Sequence, residues 1–204
     1  AQLSNKILQL ESENKQLIKQ NSLVQNENHQ MVTTKLNSYL IALKEKSSDI
    51  VIIDNNEYEE ETKIGEGATS CVKVVSKKAK EKLAKKELKE FDFKTFKRFL
   101  KEADILFKLR HPCIIRIHGV NYGDDKHPPS IFLSLEPNSL ENAINKKILN
   151  EAQKNQITVE IVLRMRYIHS CNFMHRDLKS LNILLSKNLH ARISDFGLAR
   201  EEEI

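Results

Sequence analysis

The chain has no tryptophan, and only five glycines, four prolines and three cysteines among its 204 residues. Cys71, Cys113 and Cys171 are odd in number, far apart and without a C-x-x-C pair. That excludes a disulfide framework and the usual zinc-finger spacings, and it suits reduced thiols in a cytoplasmic, intracellular compartment. No uninterrupted apolar run approaches the roughly 20 residues of a membrane span, and no signal peptide is visible. The chain starts at Ala1 rather than Met, and is read as lacking its natural start. Charge of one sign is not in large excess, since the net value is +5. The basic excess is local: twelve Lys or Arg residues lie between Lys73 and Lys101. Such a run can bind nucleic acid or an anionic membrane, but here it is read as a solvated loop and helix face, with no nucleic-acid partner.

What the chain does have begins with a segment free of Gly and Pro. Over residues 1–46, Leu3, Leu10, Leu17, Val24 and Met31 recur every seven residues as d positions, with Ile7, Asn14, Asn21, Asn28 and Lys35 at a. A seven-residue apolar repeat predicts a left-handed coiled coil, and Asn at a favours a parallel dimer at a cost in stability. Three successive Asn leave a narrow seam, and near Met31 the stripe shifts by one residue to Val32, Leu36, Tyr39 and Leu43. A homodimer through residues 3–43 is the expectation; the alternative is one amphipathic helix lying against the rest of the protein. A basic zipper is excluded by order, because its basic region precedes the coiled coil and here the Lys-rich segment follows it.

Residues 47–56 read as a linker, and beyond them the periodicity changes. β-type runs cover Glu60–Ile64, Cys71–Val75, Lys82–Leu88, Ile114–Val120 and Ile131–Leu135. Between them Phe93–Leu109 clusters Phe96, Phe99, Leu100, Ala103, Ile105 and Leu106 on one side at helix spacing. This predicts an α+β arrangement, a small antiparallel sheet with a packed helix. Asn121–Pro129 reads as a loop. After Pro137 the chain turns helical, with Ser139 capping Leu140–Leu149 and Thr158 capping Val159–Ser170.

Three of the five glycines fall in two short motifs. Ile64-Gly65-Glu66-Gly67-Ala68-Thr69-Ser70-Cys71-Val72 fits G-x-G-x-x-G-x-V with Ser70 at the third glycine. Glycine lets a backbone approach phosphate oxygens without a Cβ in the way. A Walker A loop is absent, and a dinucleotide-binding turn would need a helix where a strand follows. Near the other end stand Met174-His175-Arg176-Asp177-Leu178-Lys179-Ser180-Leu181-Asn182 and Asp195-Phe196-Gly197. A metal site from His169, Cys171 and His175 has one ligand type too few and no distant partner.

In these motifs the chain resembles the protein kinase family from about Tyr58 to Arg200. The resemblance implies a two-lobe fold over 57–204, preceded by the long coiled-coil-like helix. It has a complete N-lobe sheet plus C-helix (57–136) and an incomplete, truncated helical C-lobe (137–204). It implies ATP and Mg2+ as cofactors and a protein Ser/Thr substrate. Ile64, Gly65, Glu66, Gly67, Ala68, Thr69, Ser70 and Val72 would cover the nucleotide. Ala84 and Leu184 would sandwich the adenine with Ile64 and Val72. Leu135 would be the gatekeeper, and the backbone of Glu136–Asn138 would bind the base, one donor being lost at Pro137. Lys86 would reach the phosphates and Glu102 would hold it, with Lys85 on the other face of the strand. Asp177 would accept the substrate's proton, Lys179 would neutralise the γ-phosphoryl group, and Asn182 and Asp195 would ligate Mg2+. Leu106, Ile117, His175 and Phe196 match an internal apolar spine, and Arg176 a partner of a phosphorylated activation loop. Lys-Ser-Leu-Asn at 179–182, with Leu109–Pro112 and Met165–Ser170, looks like the tyrosine-kinase-like group, whose members mostly modify Ser and Thr. Departures fall at Ser70, Pro137 and Arg164, where a small residue is common. Because only seven residues follow Gly197, the chain is expected to be a fragment of low or no activity. The alternative is a dimeric ATP-binding pseudokinase or scaffold acting through its coiled coil.

Overall fold

The computed structural model describes residues 51–77, 81–89, 93–123 and 127–202. The coiled coil expected over 1–46, and the dimer through it, lie outside them. Eight-residue strands β1 (Glu59–Glu66), β2 (Ser70–Lys77) and β3 (Glu81–Leu88) are followed by helix α1 (Phe93–Lys108), then β4 (Ile117–Asn121) and β5 (Ser130–Ser134). The five strands form one antiparallel sheet in the order β1-β2-β3-β5-β4. Four of the β-type runs are longer or shifted by a residue or two. The run from Ile114 becomes a strand only at Ile117, and Ile131–Leu135 becomes Ser130–Ser134.

Alternation along β3 sorts the two faces of this sheet. Ala84 stands opposite Val74 and Leu133, and Lys86 opposite Val72 and Ile131. Leu83 and Lys85 point the other way, toward Val75 and Phe132. On that second face Ile53, Val75, Leu83 and Phe132 form a buried cluster with Tyr58 against it, the Tyr58 and Phe132 rings lying 5.1 Å apart. Lys85, 3 % exposed, is held there by Glu87 at 2.7 Å and Glu60 at 3.3 Å. Helix α1 buries Phe96, Phe99, Leu100, Ala103, Leu106 and Phe107, and Glu102 sits on the same stripe.

Part of the expected linker belongs to this sheet. Ile53 donates its N–H to Val120 O at 2.8 Å, and Val120 donates to Val51 O at 2.9 Å. Residues 51–53 thereby lie parallel to the edge strand β4, which otherwise would present unpaired donors and acceptors. The close approach is possible because residue 119 is glycine. A Cβ there would stand 2.6 Å from Val51 O and 2.7 Å from Ile53 Cγ1.

Beyond the sheet come β6 (Asn138–Ser139), α2 (Leu140–Asn145), α3 (Glu151–Ser170), β7 (Phe173–Met174), β8 (Ile183–Leu185), β9 (Ala191–Ile193) and β10 (Arg200–Glu201). Strands β6, β8 and β9 make a three-stranded sheet. Ser139 caps α2 as expected, accepting from Asn142 N. The helix stops four residues short of Leu149 because Lys147 takes a left-handed conformation, φ 54°. Its N–H bonds Ile144 O while Ile148 N bonds Ala143 O, the two bonds of a Schellman end. Thr158 is not a cap. Helix α3 starts eight residues earlier than expected, at a capping box of Asn150 and Gln153, and Thr158 Oγ1 donates back to Lys154 O inside it.

The tight fit at residue 119 makes a measurable claim. Gly119→Ala should lower stability by about 1–3 kcal/mol, the usual cost of overpacking. It should also accelerate amide hydrogen exchange at Ile53 and Val120 relative to β2. Unchanged protection at both amides would show that residues 51–53 are not held by β4.

Candidate active site

The glycine turn joins β1 to β2, and Gly67 N donates to Ser70 O at 2.8 Å. Neither Gly65 nor Gly67 is demanded by the protein's own packing. A Cβ at Gly65 would meet Val72 at 3.5 Å and one at Gly67 would meet Ser70 O at 3.6 Å, both ordinary contacts. Glu66 is tied to Lys63 and to Lys89, and their hydrogen bonds, helped by their charge, draw its carboxyl down to about 2. Ile64 and most of the turn are exposed, which leaves its backbone accessible from outside.

Below the turn, Lys86 Nζ lies 2.7 and 2.8 Å from the two oxygens of Glu102 on α1. It lies 3.0 Å from Asp195 Oδ1, two residues past β9. Burial alone would lower the Lys86 pKa, but the carboxylates of Glu102 and Asp195 outweigh it and push it up to about 12. Glu102 is 4 % exposed, and its burial holds its carboxyl above the ordinary range against the pull of Lys86. Asp195 is likewise raised by burial, yet ends below its ordinary value because of the Lys86 charge and hydrogen bonds from Lys86 and Gly197 N–H. A cation between two anions from three separate elements is therefore the charged centre of the site. Gly197 abuts it: a Cβ there would lie 3.4 Å from both Asp195 Oδ1 and Glu102 Oε2.

The segment before β8 carries the remaining polar groups. Asp177 Oδ2 accepts from Lys179 Nζ at 2.7 Å and from Asn182 Nδ2 at 2.9 Å. The Lys179 bond is the main reason its carboxyl titrates low. Both bonds fall on Oδ2, so Oδ1 is left to other partners. Asn182 spends its amide nitrogen on Asp177, which leaves its Oδ1 as a free acceptor. Ser194 N and Oγ both donate to Asn182 O, at 2.9 and 3.0 Å. This bond brings Asn182 beside Asp195. A carboxylate and an amide oxygen are the donors a hard divalent cation prefers, with phosphate and water completing the shell, so these residues fit Mg2+.

Two of these residues, or their neighbours, are strained. Arg176 and Asp195 adopt φ of 68° and 61°, left-handed values that cost non-glycine residues energy and gather at functional sites. Around them the packing is firm. His175 donates Nε2–H to Ser194 O at 2.9 Å and accepts from Asp177 N at Nδ1. Burial lowers its pKa, so the ring stays neutral. It meets Phe196 edge-on at 4.8 Å. Leu106, Ile117 and Phe196 are buried with it.

The structure brings Lys86, Glu102 and Asp195 together, and Asp177, Lys179 and Asn182 together. It sets Ala84, Val72 and Lys86 on one face of the sheet. Leu184 lies on β8 opposite Ser139 and Arg192. Leu135, the expected gatekeeper, lies one residue past the end of β5. Leu133 is the β5 residue opposite Ala84, whereas Leu135 lies past the strand and lines a cavity behind the connection, together with Glu136 and Pro137. The Glu136 side chain points to Arg192 at 3.1 Å. Alternation alone puts Leu133 and Leu135 on the same face, and only the register of β5 with β3 sets Leu133 opposite Ala84; nothing local marks Arg192.

Residues 58–203 match the family model of the protein kinase domain. Similar proteins include serine/threonine-protein kinase PLK4 of Drosophila grimshawi, 31 % identical over 72 % of this chain and 20 % of its own length. Extracellular signal-regulated kinase 2 of Dictyostelium discoideum is 33 % identical over 70 % of this chain and 40 % of its own. A LEAF RUST 10 disease-resistance locus receptor-like protein kinase-like 1.2 of Arabidopsis thaliana is 27 % identical over 71 % and 23 %. The chain belongs to the protein kinase family. It spans less than half the length of these curated relatives.

Removing the central cation should leave two carboxylates uncompensated. Lys86→Met is expected to cost about 3 kcal/mol in equilibrium urea denaturation, and adding Glu102→Met should recover part of it. A single-variant loss below about 1 kcal/mol, the scale of an exposed pair, would contradict the central role given to this ion triad.

Proposed function

We propose that this protein is a serine/threonine kinase of the tyrosine-kinase-like group, moving the γ-phosphoryl group of Mg-ATP to Ser or Thr hydroxyls of proteins. The observation that carries this reading is the Lys86 cation shared by Glu102 and Asp195, close beneath a turn whose glycines serve no packing need of their own. ATP phosphates would lie under the turn, taking N–H donors from its backbone and charge from Lys86. Asp195 and Asn182 would hold Mg2+, which supplies the positive charge that offsets crowding of phosphate oxygens. Asp177 Oδ1 would accept the proton of the substrate hydroxyl as its oxygen bonds the γ-phosphorus and the bond to the β-phosphate oxygen breaks, releasing ADP. Lys179, bonded to Asp177, would offset charge on the moving group.

The wording Lys179-Ser180-Leu181-Asn182 supports the group assignment. The unpaired Cys71, Cys113 and Cys171 accord with an intracellular location, and residues 3–43 with self-association. We expect slow transfer from this chain. Leu178, Leu181 and Leu198 flank the catalytic segment at 44, 53 and 52 % exposure, so little packing holds Asp177 on that side, and positioning supplies most of the rate in phosphoryl transfer.

Incubation with γ-labelled ATP, Mg2+ and a generic acceptor protein should yield phosphoserine or phosphothreonine at a low rate. Asp177→Asn should cut that rate by about a hundredfold or more, the contribution of a positioned base. Label on tyrosine only, or transfer indifferent to Asp177→Asn, would overturn the reading.

A further inference from the structure

Strand β9 fastens a different element at each residue. Ala191 is gripped from α3: its N–H donates to Glu160 Oε2 at 2.8 Å and its carbonyl accepts from Arg164 Nε at 2.6 Å. Glu160 and Arg164 are themselves paired at 3.0 Å, and His190 joins Glu160 at 2.7 Å. Ile193 bonds the loop after α1, accepting from Ile115 N at 2.9 Å and donating to Cys113 O at 3.0 Å. Two residues later comes Asp195, bonded to Lys86. Arg192, between the two anchored residues, reaches the connection between β5 and β6, where its Nη1 lies 3.1 Å from Glu136 Oε1. The Glu136 side chain is 7 % exposed although the connection it belongs to is not a core element. Burial holds its carboxyl above the ordinary range even beside Arg192, so the pair is made in a site costly for a lone charge.

We propose that Arg192 is a positioning residue for the nucleotide: through Glu136 it fixes the 135–137 connection between β5 and β6 relative to the strand that leads into Asp195. The inference rests on the nucleotide reading given above and extends it to a residue that does not touch the ligand. In that reading the connection presents backbone groups to the adenine and Asp195 faces the phosphates, so the two ends of one ligand are held at a set separation by this ion pair. The pair lines a cavity of about 470 Å3 that Pro112, Cys113, Arg164 and Lys187 also border. With open space on one side, removing the pair frees the connection to shift without first disrupting packed neighbours. Arg164, the departure from a small residue, gains a role as well: by gripping Ala191 it anchors the strand from which Arg192 reaches.

The test compares binding of a fluorescent ATP analogue with Mg2+, and thermal melting, in the whole chain and four variants: Arg192→Met, Glu136→Gln, Arg192→Lys and the reversed pair Arg192→Glu with Glu136→Arg. Each of the first two should weaken binding about tenfold, while the reversed pair returns to within about threefold of the starting chain. Arg192→Lys should fall between. Melting should remain cooperative throughout; if Arg192→Met lost it, the lysine and reversed variants would decide. Binding unchanged in the single variants, or not restored by the reversal, would overturn this inference and leave the nucleotide reading standing. No binding by the unaltered chain would overturn the nucleotide reading, and this inference with it.

Discussion

The ion triad of Lys86, Glu102 and Asp195 is the interaction on which the rest of the site depends. Its members come from β3, α1 and the segment after β9, so it closes only when the sheet, the helix across it and that segment are all in register. A buried amine with a single carboxylate would be a poor bargain with desolvation. Two carboxylates keep Lys86 charged, and Lys86 in turn keeps Asp195 ionised. The triad therefore holds ready both a cation suited to phosphate and an anion suited to a metal.

Around this centre, beside a buried apolar core, polar side chains are tied to one another and to the backbone by short bonds. Asn182 bonds Asp177, Ser194 bonds Asn182, and His175 joins Ser194 to Asp177. Each side chain is fixed by one that is itself fixed, which is the condition for preorganised electrostatics. The left-handed Arg176 and Asp195 carry backbone strain at the two points where a functional carboxylate, or its neighbour, must leave the direction of its own strand. Strand β9 sets the frame in which these bonds meet, since it touches α3, the loop after α1, β8 and the connection after β5.

Much of this was legible in the sequence, for identifiable reasons. Alternation along Ala84-Lys85-Lys86 separated the lysine facing Glu102 from the one facing Glu87, because strand period is independent of tertiary context. Asp177, Lys179 and Asn182 stand close enough along the chain to meet, and they do, while Asp195 is brought to Lys86. Three features were not legible. Leu135 is reached by matching along the chain, whereas the pairing of β5 with β3, which sets Leu133 opposite Ala84, counts across it. Thr158 passed for a cap because it precedes an apolar run, yet Asn150 and Gln153 satisfy the first turn earlier and let α3 run through it. The 51–53 pairing with β4 depends on the missing Cβ of Gly119, a residue far away in sequence, and no local pattern announces it.

The central claim is that Lys86, held by Glu102 and Asp195, is the phosphate-binding cation of a kinase nucleotide site. Calorimetric titration of ATP into the chain, with and without Mg2+ and beside Lys86→Met, tests it most directly. The account predicts saturable binding that needs Mg2+ for full affinity and is lost or weakened at least about tenfold in Lys86→Met. Saturable binding of equal strength in Lys86→Met, or no heat with the unaltered chain, would contradict it.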